Sequence, residues 1–212
     1  MSNPYGSVEK LWGNSKTFIQ GVGKNGTIVY NYGQTWQQIV GGTEVDLFDI
    51  WGSDDGTLWT CGYSNDYGTT ALLRFSGTGW ENVYKGSGSN QSNGYYIGPL
   101  SGVWSTGNQR IYLMNWNGIY IQANSDELFF EKELTRFSSA SYGIDGTGDN
   151  NIFVCGVSFI GHWNGVTYKE YPELYQENRR FLNVDVKENI VCSVGRDYND
   201  FIYSEAVIAL SK

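Results

Sequence analysis

The chain holds one histidine, His162, so any Ser-His-Asp or Cys-His nucleophilic unit has to use it. Counted back from the aromatic residue that closes its segment, His162 stands where Arg74 and Tyr30 stand in two others. A position filled by His, Arg and Tyr reads as an ordinary strand side chain, and no catalytic residue is assigned. The cysteines, Cys61, Cys155 and Cys192, show no Cys-x-x-Cys or Cys-His spacing, so no zinc site is expected. Cys61 and Cys155 stand where Val22 and Val194 stand elsewhere, which predicts buried thiols packing as small hydrophobes. Cys192, two residues before Val194, is expected on the same side of its strand. The run Asp145-Gly146-Thr147-Gly148-Asp149-Asn150-Asn151 is oxygen-rich, as is Ser53-Asp54-Asp55-Gly56 more weakly. The first run lacks the spacing and closing Glu of an EF-hand loop. Asp, Asn and Gly also form turns for conformational reasons alone, so no metal is assigned. Asp145 and Asp185 recur at equivalent positions and are the one acid pair that could be nominated for glycoside hydrolysis, which needs carboxyls about 5–9.5 Å apart.

Composition narrows the elements that could position such groups. Among 212 residues there are 28 Gly, 16 Tyr, 10 Phe and 8 Trp, and 17% are charged. Alanine, the best helix former, is scarce. This balance predicts an all-β chain with many tight turns and excludes a helical bundle or a disordered chain. Net charge is −8, with 14 Lys and Arg and no basic cluster, so no nucleic-acid partner is expected. No apolar run is long enough to span a bilayer. The start, Met1-Ser2-Asn3-Pro4-Tyr5, has no apolar core of a signal peptide, so a cytoplasmic chain or a piece of a longer exported one is expected.

The decisive signal is repetition. An aliphatic residue followed by Trp or Asp occurs at Leu11-Trp12, Ile50-Trp51, Val103-Trp104, Ile144-Asp145 and Val184-Asp185. A small apolar residue followed by Gly comes 10 or 11 positions later, at Val22-Gly23, Cys61-Gly62, Cys155-Gly156 and Val194-Gly195. A third mark, Gly-x-x-aromatic, closes three units at Gly33-x-x-Trp36, Gly77-x-x-Trp80 and Gly165-x-x-Tyr168. Repeats of about 40 residues carrying four short strands are propeller blades. We therefore expect a single domain over 1–212, a five-bladed β-propeller with about four antiparallel strands per blade. The blades are read as 6–44, 45–99, 100–138, 139–178 and 179–212. The last is completed by the N-terminal residues Met1 to Tyr5 or left incomplete. Register makes Ser125–Leu134 strand rather than helix, and Pro172–Asn178 is expected to hold one helical turn.

At these marks the sequence resembles exported bacterial β-propeller proteins, often lipoproteins, whose repeats read W-G…V-G…H-Y-N-G-x-x-W. It is loosely similar to photosystem II stability-factor-like propellers. The segments that carry the resemblance are NPYGSVEKLWG, LFDIWGS, GHWNGVTY and GRDYNDFIYSEAVIALSK. It implies an extracellular, periplasmic or surface location as part of a longer precursor. It implies no activity and no functional residue. Asn31-x-Gly33-x-Thr35-Trp36 also resembles a degenerate Asp box, a structural turn of sialidase-like propellers. The arginines a sialidase-like site would need do not recur at one blade position.

Length variation points to function. With up-and-down strands, the second-to-third and fourth-to-next-first connections share one side, where the long insertions Tyr63–Thr70, Tyr84–Pro99, Glu170–Arg180 and Arg196–Ser204 all fall. They carry Tyr63, Asp66, Tyr67, Tyr95, Tyr96, Arg179, Arg180, Asp197, Tyr198 and Asp200, the candidate ligand-binding residues. Tyrosines on a rigid scaffold offer large amphipathic contact at low entropic cost. The expectation is a non-catalytic recognition or scaffold module, monomeric and without cofactor, that binds a glycan or a protein. Its alternatives are a glycoside-active enzyme with carboxylates in the central channel, or a structural spacer.

Overall fold

The computed structural model describes residues 7–33, 35–53, 56–87, 98–106, 110–122, 130–200 and 203–211. They form five antiparallel sheets whose strand order follows chain order, each an up-and-down meander. The first sheet is β1 (Val8–Ser15), β2 (Phe18–Gly23), β3 (Thr27–Asn31) and β4 (Trp36–Val40). The second is β5 (Asp46–Gly52), β6 (Leu58–Tyr63), β7 (Thr69–Phe75) and β8 (Trp80–Ser87). The third is β9 (Leu100–Ser105), β10 (Ile111–Asn115), β11 (Gly118–Gln122) and β12 (Phe130–Arg136). The fourth is β13 (Ser141–Gly148), β14 (Asn151–Gly156), β15 (Phe159–Trp163) and β16 (Tyr168–Glu170). The fifth is β17 (Arg179–Lys187), β18 (Ile190–Asp200) and β19 (Tyr203–Ser211). This is a five-bladed β-propeller. The strand that Met1–Tyr5 was expected to add to the last blade lies outside the described residues.

Each repeat mark has a steric cause. Gly23 and Gly156 end the second strand of their blades, Gly62 is its last residue but one, and Gly195 lies within β18. They pair with Val8, Leu47, Ser141 and Phe181, and the register of the first strand slips immediately after each partner. A bulge there drives the first strand's backbone inward. A Cβ on Gly23 or Gly62 would lie 1.8 Å from the carbonyl oxygen of Ser7 or Asp46, so only glycine fits. The third mark is a turn: Gly33, Gly77 and Gly165 have φ of 90°, 94° and 89°. Asn31 Oδ1 accepts from the Gly33 N–H, and Asn164 Oδ1 accepts from the Val166 and Thr167 N–H groups. The Asp-box-like segment is thus a side-chain-closed turn.

The blades pack through one repeated layer. Val22 and Ile28 of the first blade meet Leu47 and Ile50 of the second. Cys61 and Leu72 of the second meet Leu100 and Val103 of the third. Cys155 and Ile160 of the fourth meet Phe181 and Val184 of the fifth. The second-mark position therefore faces the following blade, and the aliphatic residue of the first mark faces the preceding one. The described chain divides into two compact bodies, Met1–Asn115 with Tyr120–Lys132, and Trp116–Ile119 with Glu133–Lys212. Among the described residues no helix is long and apolar enough to cross a membrane.

Two expectations about loops need correction. Arg196–Ser204 is not an irregular insertion: β18 and β19 run on as a long hairpin with Arg196↔Ala206, Asp197↔Glu205 and Tyr198↔Ser204 in register. Continued cross-strand pairing satisfies backbone groups that a loop would have to expose to water. Tyr84, expected to open a loop, lies buried in β8 opposite Leu72. The helical turn is present at Pro172–Leu174; of Ser125–Leu134, Phe130–Leu134 is strand as expected and the remainder lies outside the described residues.

Candidate functional site

In the first body, the connection between β6 and β7 is tight. The Tyr67 N–H donates to the Ser64 carbonyl and the Ser64 N–H to the Thr69 carbonyl, both at 2.8 Å. Asp66 accepts from the Ser64 hydroxyl and, at 3.0 Å, from the Gly68 N–H, and these bonds hold its carboxyl below the usual carboxylate range. Tyr67 sits at φ 56°, a left-handed conformation costing a bulky residue on the order of 1 kcal/mol. That turn carries the half-exposed Tyr67 ring to 5.5 Å from Tyr63, which in turn lies 4.5 Å from Phe48. Lys24 Nζ covers the Phe48 ring at 4.9 Å and pairs with Asp46 Oδ2 at 2.9 Å. Burial opposes ionisation of Asp46, but the Asn25 N–H and the Lys24 ammonium prevail and keep its carboxyl low. Beside this ladder lies a cleft of about 610 Å³ lined by Val40, Gly42, Thr43, Glu44, Val45, Ser64, Thr69 and Lys85. The second-to-third connection of one blade and the fourth-to-first connection before it thus meet, as up-and-down topology predicts.

In the second body the same two kinds of connection converge again. The Ser158 hydroxyl donates to the Gln176 carbonyl at 2.7 Å, and the Tyr198 N–H donates to the Asn178 carbonyl at 3.0 Å. Arg179 grips Asp197 with two hydrogen bonds of 2.8 Å. The guanidinium holds the Asp197 carboxyl below its ordinary value, and the carboxylate raises that of Arg179. This bidentate pair ties the start of β17 to β18, so Arg179 and Asp197 act as a cross-strand clasp. Arg180 and Arg196 are cross-strand partners, and their guanidinium carbons stand 4.7 and 4.5 Å from the Tyr198 ring. These candidates therefore sit on paired strands rather than on loops. Asp200 ends β18, and Tyr95 and Tyr96 lie outside the described residues.

His162 lies in β15 with its ring stacked 4.2 Å from Phe153 and Nε2 2.9 Å from Asn151 Oδ1. Burial moves its imidazole below the ordinary value, favouring the neutral form. Its cross-strand partner Phe153 corresponds to Trp59, which lies under Arg74 in the second blade, so the position is a stacking one. Cys61 and Cys155 are fully buried in the inter-blade layers, as expected. Asp145 Oδ2 accepts the Val186 N–H of the neighbouring first strand at 2.6 Å, whereas Asp185 is exposed. The nominated acid pair is therefore split between a structural acceptor and a surface carboxylate. Asn151 Nδ2 donates to Thr147 Oγ1, closing the oxygen-rich turn on itself at 2.7 Å.

Sequence reasoning missed Asp49. It is buried in β5, accepts the Val103 N–H of β9 at 3.0 Å and the Ile50 N–H at 3.1 Å, and lies 3.6 Å from Lys10 Nζ of β1. It joins the first strands of three blades. Burial pushes its carboxyl up despite Lys10. The available signal was an acid one residue before an aliphatic-Trp mark, where the other units carry Lys10, Gly102, Gly143 and Asn183.

No family model and no curated protein matches the sequence. Solved structures do match in fold. YCF48 bound to D1 peptide superposes with a TM-score of 0.64 at 15% identity, covering 91% of this chain and 63% of that one. YCF48 from Cyanidioschyzon merolae gives 0.62 at 11% identity, covering 93% and 67%. The WD40 repeats of RRP9 give 0.67 at 14% identity, covering 89% and 57%. The YCF48 propellers are photosystem II stability factors, the group to which the sequence was loosely likened. The chain spans under two thirds of the YCF48–peptide and RRP9 chains, and at these identities the likeness establishes the propeller fold.

Proposed function

We propose that the protein is a non-catalytic recognition propeller that binds an extended peptide segment of a partner protein. The contact residues are Tyr63, Asp66 and Tyr67 together with the cleft beside them. The observation that carries this reading is the Phe48–Tyr63–Tyr67 ladder, with half-exposed Tyr67 held by a left-handed turn between Ser64 and Thr69, which line the cleft. Aromatic rings give contact area, and Thr43, Ser64, Thr69 and Lys85 give hydrogen-bonding groups for a peptide backbone or carboxylate. One structure of the same fold holds a D1 peptide, which supports a peptide rather than a glycan as the ligand class. Tyr95 and Tyr96, on the next long connection, belong to the same proposed surface. The reading takes 1–212 as one propeller domain, and its exported location rests on the resemblance alone.

The test is to pan a random peptide phage library, and in parallel a glycan array, on the intact chain. Enriched peptides whose binding falls at least tenfold in Tyr67→Ala, with an unchanged melting temperature, are expected. Glycan capture without peptide enrichment, or peptide binding indifferent to Tyr67→Ala, overturns the assignment.

A further inference from the structure

The charges around the cleft of the first body fall into two groups. Lys24 is committed to Asp46 at 2.9 Å, and Asp66 accepts from the Ser64 hydroxyl and the Gly68 N–H. Those groups hold the body's own strands and turns. Glu44 and Lys85 both line the cleft, and both are exposed. Among the described residues neither makes an ion pair, with the other or with a third group. A single cleft of about 610 Å³ thus carries one acid and one base that the fold does not use.

The two charges come from different blades. Glu44 stands on the connection that leaves the first blade after β4, just before the buried Val45. Lys85 stands on β8, the outer strand of the second blade, in register with Ala71. Val40, at the end of β4, also lines the cleft and is 90% exposed, so an apolar surface lies open beside the charges. An extended peptide turns consecutive side chains to opposite sides of its own axis. Laid between the exit of the first blade and the outer strand of the second, it offers one side chain to each.

We infer that the cleft selects peptide segments in which an acidic residue adjoins a basic one, the acid paired with Lys85 and the base with Glu44, their aliphatic stems against Val40. The inference rests on the peptide reading of this cleft and adds the charge pattern of the partner. Complementary charges of this kind fix register and reject wrong partners more than they raise affinity. A wholly acidic segment meets Glu44 and a net charge of −8, and a wholly basic one meets Lys85.

The test is to pan a random peptide library in parallel on the intact wild-type chain, on Glu44→Lys, on Lys85→Glu and on the double variant, and to sequence each pool. On wild type, adjacent acid–base pairs should rise about threefold above their frequency in the input library, and high salt should reduce that enrichment. Lys85→Glu should replace the acid of the pair by a second base, and Glu44→Lys the base by a second acid. The double variant should restore acid beside base. Both side chains are exposed, so near-UV circular dichroism should be unchanged. If a reversal fails to fold, Glu44→Gln and Lys85→Gln take its place, each expected to remove the preference at its own charge alone. Peptides that still need Tyr67 yet show no acid–base preference overturn the inference and leave the peptide reading standing. So does a preference indifferent to both Glu44 and Lys85. A wild type that enriches no peptide overturns both.

Discussion

Asp49 is the most constrained side chain of the first body, because one carboxylate serves a neighbouring blade's N–H and faces a lysine from another. Asp49→Ala strands the Val103 N–H and removes one partner of Lys10. It should cost about 1–3 kcal/mol in urea unfolding. Its burial-raised carboxyl also sets a pH sign. Between about pH 3.9 and its native value the folded chain holds the extra proton, so this group's contribution falls as pH rises. Wild type should lose stability relative to Asp49→Asn on going from pH 4 upward. Asp197 has the opposite sign, since Arg179 depresses its carboxyl. Its contribution is complete above about pH 3.9 and disappears as pH falls through the depressed native value. The urea midpoints of wild type and Asp197→Asn should therefore differ at pH 7 and converge as the pH falls through that depressed native value.

At the scale of the element, the bulge opposite each second-mark glycine sets how closely a first strand nests in its blade. Gly62→Ala would put a methyl 1.8 Å from the Asp46 carbonyl oxygen, which neither strand can clear without abandoning register. A loss of about 3 kcal/mol is expected. Gly79→Ala, whose added carbon meets nothing within 4 Å, should stay within about 0.5 kcal/mol and serves as the control. Thermal melts of the two variants side by side separate the bulge from any general effect of removing glycine. The marks were legible because the same sterics impose the second-mark glycine in four of the five blades. The hairpin of β18 and β19 was not, because polar residues such as Asp197, Asn199 and Asp200 read as loop, whereas cross-strand pairing, a tertiary outcome, makes them strand.

For the whole molecule, stability is a sum of blade terms and nearest-neighbour interfaces. Equivalent positions should then differ only by whether a neighbour covers them. Ile28→Ala, in a filled layer, should cost about 2–5 kcal/mol. Ile208→Ala, at the same register on the open side, should cost about 0.5 kcal/mol or less in dilute solution. Similar losses at the two sites would mean that exposure does not decide the cost.

Sequence alone determined the class of element, the number of blades and the fate of the thiols. Each follows from local rules, namely strand alternation, glycine at bulges and turns, and apolar residues at a fixed offset. Within each body, the meeting of second-to-third with fourth-to-first connections was also legible, because up-and-down topology dictates it. Tertiary structure decided the roles of individual polar groups. Asp145 looked like half of an acid pair until a neighbouring N–H occupied it, and Asp49 looked like any strand acid until three first strands met at it. Those roles depend on angstrom-scale distances between blades, which a repeat pattern fixes in order but not in space.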